Sequence, residues 1–107
     1  MTKITFFRKE KEIVGFEISG HTGKEDFGKD LLCCQISTVA QLAVVGIDEV
    51  VKAKNFHEIS DGYLKITVDE KTAKQEKVKV IFQTCFESLK SIIQDEKNYA
   101  KMEVKNV

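Results

Sequence analysis

The sequence has no proline and no stretch dominated by one residue type. Nothing therefore marks a linker, and the 107 residues read as a single domain spanning 1–107. Net charge is missing as well, because 17 Lys plus Arg balance 17 Asp plus Glu. A chain without a global field is not drawn to nucleic acid or to an anionic membrane, and neither is expected as a partner. No run approaches the ~20 apolar residues of a bilayer span. The opening MTKITFFRKEKEI lacks the apolar core and small-residue cleavage site of a secretory signal. These absences predict a soluble cytoplasmic protein with no membrane contact.

Cysteine is scarce: there are three, two of them adjacent. An odd count with a vicinal pair excludes an ordinary disulfide framework and predicts free thiols in a reducing compartment. No Cys-x-x-Cys or His-x-x-x-His spacing joins Cys33, Cys34, His21 and His57, so neither a zinc site nor another cofactor is expected.

What is present is periodic. Residues 2–8 and 12–19 are β-branched and aromatic, and Val14, Phe16 and Ile18 alternate with Gly15, Glu17 and Ser19. The KEK between them predicts a hairpin, with Phe6 and Phe7 on opposite faces. Residues 20–29 carry three glycines and no period, which predicts an exposed loop. From Asp30, a natural N-cap, Leu32, Ile36, Val39, Ala43, Ile47 and Val50 mark the apolar stripe of one long helix. Val44, Val45 and Val51 fall outside that stripe and are placed to face a partner subunit. Residues 56–60 and 63–69 read as strands joined by Asp61-Gly62, a pair that favours a type I′ turn. Val78, Ile81, Phe82, Cys85, Phe86, Leu89, Ile92 and Ile93 set a second amphipathic helix with Cys85 in the middle of its apolar stripe, and 99–105 alternates as a last strand. The order ββαββαβ predicts an α+β fold with a mainly antiparallel sheet and two helices packed on one face.

Chemistry concentrates in residues 20–37. Cys33 lies in the first turn of the predicted helix, where unpaired N–H groups and the positive end of the dipole favour a thiolate. His21 is a proton acceptor for it, and the same first-turn N–H groups are positioned to steady an oxyanion. Asp30 is either the helix cap, the orienter of His21, or both. Ser37, one turn beyond Cys33, either bonds back to a carbonyl or lines the site.

Gly20-His21, Gly28-Lys29-Asp30, Leu31-Leu32, Cys33 and Ser37 together resemble the motif of the ribosomal-processing cysteine proteases called Prp. The resemblance implies a cysteine endopeptidase acting through a thioester acyl-enzyme, with Cys33 as nucleophile and His21 as general base. It also implies a substrate, the N-terminal extension of large-subunit ribosomal protein number twenty-seven, and a homodimer. The loop carrying Thr22, Gly23, Phe27 and Gly28 would be a flap over the bound peptide. Cys34 departs from the small residue, commonly alanine, that follows the nucleophile in that family. The alternative is a non-catalytic ribosome-assembly adaptor that binds an extended peptide at a sheet edge. A third is a thiol redox sensor using Cys33 and Cys34.

Overall fold

The computed structural model describes residues 1–25 and 30–107. Strands β1 (Thr2–Lys9) and β2 (Glu12–Ser19) form the first hairpin, followed by helix α1 (Leu31–Val45) and a π-helical turn (Gly46–Val50). Strands β3 (Phe56–Ser60) and β4 (Tyr63–Thr67), helix α2 (Glu70–Ala73), helix α3 (Glu76–Ile93) and strand β5 (Ala100–Asn106) complete the chain. This is the α+β arrangement read from the sequence, with the short α2 as an addition. Asp69 begins α2 by accepting the Thr72 N–H at 2.7 Å, which ends the preceding strand at Thr67.

The sheet order is β3-β4-β2-β1-β5. Every neighbouring pair is antiparallel except β1 and β5. Register puts Ile4 opposite Ile18 and Phe6 opposite Phe16, and these four side chains share the covered face. Helix α3 packs there through Phe82 and Phe86, each edge-on to a strand ring, Phe16 at 6.2 Å and Phe6 at 5.0 Å. Burial of Phe82 is complete, and its truncation to Ala is expected to cost about 3–5 kcal/mol. Phe7 points to the opposite face, with Lys65 Nζ 5.5 Å from its ring centre.

Helix α1 departs from the simple periodic expectation at its end. The Val51 N–H bonds Gly46 O, five residues back, at 2.9 Å. That wide turn absorbs one extra residue and shifts the phase of the stripe. Val50 is consequently 75% exposed, and Val51 packs against the core in its place. Val44 is also buried, so of the three valines assigned to a partner-facing side only Val45 is exposed.

Two further expectations are corrected. Leu31–Val50 is 20 residues long with mean hydropathy 1.6, so by length and composition it does reach the range of a bilayer span. Part of that apolar content serves packing, since Leu32, Ile36, Ala40, Ala43, Val44 and Ile47 lie in the core shared with the sheet and α3, while Leu31, Leu42, Val45 and Val50 are exposed. The Asp61-Gly62 turn is not type I′, which needs a left-handed backbone at both central residues. Only Gly62 has it, at φ +69°.

Candidate active site

The sheet is wider than its helical cover. β3 is exposed along all five residues, and Ile59, although on the covered side by register with Leu64, is half exposed. An open cleft of about 630 Å³ lies between α1 and this uncovered part of the sheet. Ile18, Leu64 and Ile59 come from the strands, and Cys33, Ser37 and Ala40 come from one side of α1. Its size is that of a small-ligand or side-chain pocket, and its lining is mostly apolar.

His21 reaches this cleft because β2 ends beside the β3–β4 turn. Ser19 pairs with Tyr63, and the Gly20 N–H bonds Gly62 O at 2.9 Å. Gly20 has φ +88°, and a Cβ there would lie 2.5 Å from Met1 O, so only glycine fits this exit. The imidazole then sits over Gly62, with Nδ1 4.0 Å from Cys33 Sγ and Nε2 3.9 Å from Asp61 Oδ1. A Cβ on Gly62 would come within 2.9 Å of that Nε2. Asp61 and Gly62 read from the sequence only as a turn. Their place beside the imidazole follows from the strand order, which no local pattern reveals.

Asp30 is the N-cap of α1. Its Oδ1 accepts the Cys33 N–H at 2.9 Å, and its Oδ2 accepts the Thr22 hydroxyl. Partial desolvation works to raise the Asp30 pKa. The hydrogen bonds from Thr22 and from the Cys33, Glu25 and Lys24 backbone outweigh it and hold the carboxyl below its usual value. One carboxylate thus ties the residue after His21 to the backbone of Cys33. Thr22, expected in an exposed flap, is only 3% exposed. Lys24 is pinned as well, 2.6 Å from Glu96 and over the Tyr99 ring. Gly23 is exposed; Phe27 and Gly28 lie outside the described residues.

The first turn does not offer its N–H groups as freely as expected. The Cys33 N–H is held by Asp30 Oδ1, and the Cys34 N–H by Asp30 O at 3.1 Å. An oxyanion would need donors other than these two. Ser37 lines the cleft and accepts from Gln41 Nε2 at 2.7 Å. Cys34 is exposed, with Sγ 4.0 Å from Thr38 Oγ1. Cys85 is buried in α3, and desolvation pushes its thiol up to about 12. His57 is exposed on β3, its Nδ1 2.8 Å from Asn55 Oδ1. Tyr63 donates to Glu17 at 2.7 Å, a bond that with partial burial pushes its phenol up to about 12 and leaves it neutral. Among the described residues, no group of three or more His, Cys, Asp or Glu side chains converges as metal ligands do.

The arrangement therefore places a thiol and an imidazole together at an open, mostly apolar cleft. Known structures share the architecture. The Staphylococcus aureus ribosomal processing protease Prp, solved with a covalently linked product peptide, superposes with a TM-score of 0.88 at 19% identity, covering 98% of this chain and 100% of that one. The same protease with a substrate peptide gives 0.82 at 18% identity, with the same coverage. The Streptococcus mutans protein SMU.848 gives 0.86 at 21% identity, covering 100% of this chain and 96% of that one. Among curated protein sequences there is no match. The family model described as cysteine protease Prp matches residues 1–101 of the 107, and the chain belongs to that family of cysteine proteases.

Proposed function

We propose that the protein is an endopeptidase that removes the N-terminal extension of large-subunit ribosomal protein number twenty-seven, with Cys33 as nucleophile and His21 as general base. The observation that carries this is the 4.0 Å approach of Cys33 Sγ to His21 Nδ1 at the mouth of the apolar cleft. That separation is longer than a formed hydrogen bond and is usual for a resting site that tightens on substrate.

In the proposed reaction Nδ1 takes the thiol proton and Sγ adds to the scissile carbonyl. The tetrahedral intermediate collapses as the same imidazole returns the proton to the departing amine, leaving a thioester. The imidazole then takes a proton from water, the hydroxide adds to the thioester, and the thiol leaves with that proton. Hydrophobic residues before the cut would occupy the cleft among Ile18, Ile36 and Leu64, and the extended peptide would lie along the bare edge of β3. Both structures of the Staphylococcus aureus relative hold a peptide, which supports a peptide substrate for this chain.

We also place the protein in the cytoplasm, where its substrate is made, as a homodimer. No charged residue occurs from Leu31 to Ile47, although charged residues make up 32% of the chain, and Leu31, Leu42 and Val45 are exposed on this helix. An uncharged helix face of this kind suits association with a second copy. Sedimentation at micromolar concentration should give a dimer that Leu42→Glu weakens.

The decisive assay is incubation with the extended ribosomal protein, read by intact mass. One truncated product is expected from the wild type and none from Cys33→Ala. An uncut substrate, or equal cutting by Cys33→Ala, would overturn the assignment.

A further inference from the structure

The imidazole of His21 is approached from two sides. Nδ1 faces the Cys33 sulfur, and Nε2 faces the Asp61 carboxylate at 3.9 Å. The adjacent Gly62 presents no side chain, and a Cβ there would stand 2.9 Å from Nε2. The β3–β4 turn thus brings a carboxylate within ion-pair range of the far nitrogen, beyond the length of a formed hydrogen bond, and leaves room for the ring.

We infer that Asp61 is a positioning residue for His21, completing a Cys33–His21–Asp61 relay; this rests on the reading of Cys33 and His21 as nucleophile and base. A neutral imidazole carries one ring proton. To accept the thiol proton at Nδ1 it must hold its own proton on Nε2, and the group that accepts from Nε2 sets that tautomer. After transfer the ring is a cation with N–H on both nitrogens, and the Asp61 anion stabilises it where it forms.

Among the described residues, two other acids come near this site. Asp30 and Glu25 line the same cleft. Both Asp30 oxygens are already engaged, one by the Cys33 N–H and one by Thr22. Asp61 lies on the opposite side of the imidazole from the sulfur, as a relay requires. Its side chain is 86% exposed and that of His21 is 49% exposed, so water screens the pair in the free protein. A peptide seated over the turn would exclude that water, and the effect of Asp61 should be larger on peptide cleavage than on a small reagent.

Two assays on the full chain test this: alkylation of Cys33 by iodoacetamide, and peptide cleavage resolved into kcat and KM. Asp61→Ala should slow alkylation about fivefold, the range of an exposed ion pair. It should lower kcat by about tenfold or more with KM nearly unchanged. Asp61→Glu should recover at least half of the loss. On a His21→Ala background Asp61→Ala should change nothing further, a non-additivity that a merely structural effect would not produce. Wild-type behaviour of Asp61→Ala in both assays, or an undiminished effect without His21, overturns the inference and leaves the nucleophile and base intact. Wild-type rates in His21→Ala would overturn the underlying assignment instead.

Discussion

The N–H of Gly20 donates to the carbonyl of Gly62 across 2.9 Å, joining the end of β2 to the β3–β4 turn. Both residues have left-handed backbones, at φ +88° and +69°. His21 is therefore held at the candidate site by two glycines that tolerate what other residues do not.

At Gly62 the consequence is functional. Gly62→Ala would force a left-handed alanine, costing about 1–2 kcal/mol, and press its Cβ to 2.9 Å from His21 Nε2. Cleavage is expected to fall at least about tenfold, as misplaced catalytic groups do, while the circular dichroism spectrum stays native.

At Gly20 the consequence is stability. An alanine Cβ would meet the Met1 carbonyl oxygen, a backbone atom, at 2.5 Å. With the strained φ this should cost roughly 1–3 kcal/mol and lower Tm by roughly 5–15 °C in a domain of this size. Calorimetry of the variant checks it.

The three thiols should separate by reactivity. Cys85 is buried with its thiol pushed up to about 12, so it should stay unmodified in the folded protein near neutral pH. Cys33 should react with iodoacetamide faster than Cys34, and peptide-resolved mass spectrometry gives the order. Cys34→Ala should cleave at the wild-type rate, since its sulfur turns toward Thr38.

Asp30 gives a prediction with a definite sign in pH. Its carboxyl is held below the usual range, so the folded state favours the anion. The stability this adds is fully present above the unfolded carboxylate pKa of about 3.9 and is lost as pH falls through the lower folded value. Asp30→Ala should be about 1 kcal/mol less stable than wild type near pH 6, as a lost N-cap is. The gap should narrow when denaturant titrations are repeated toward pH 3.

Strands and helices were legible because alternation and the three-to-four spacing are local properties of Val14, Phe16 and Ile18 and of Leu32, Ile36 and Ala43. The phase slip that exchanges Val50 for Val51 was not, because a π turn lives in the hydrogen bond from Val51 to Gly46. His21 and Cys33 stand out in the sequence through the motif of residues 20–37, and in the structure Nδ1 and Sγ lie 4.0 Å apart. Asp61 was invisible as a site residue, since its meaning depends on β4 lying beside β2. Thr22 reads as loop until the Asp30 carboxylate, eight residues on, is seen to hold it.

The bare margin of β3 has a further consequence. A row of unsatisfied backbone donors and acceptors welcomes any extended chain, including the same strand of another molecule. Concentrated preparations should therefore be prone to self-association through residues 56–60. A lysine engineered there to keep the sample dispersed would be expected to compromise peptide capture, so shelf life and turnover compete for one short ribbon.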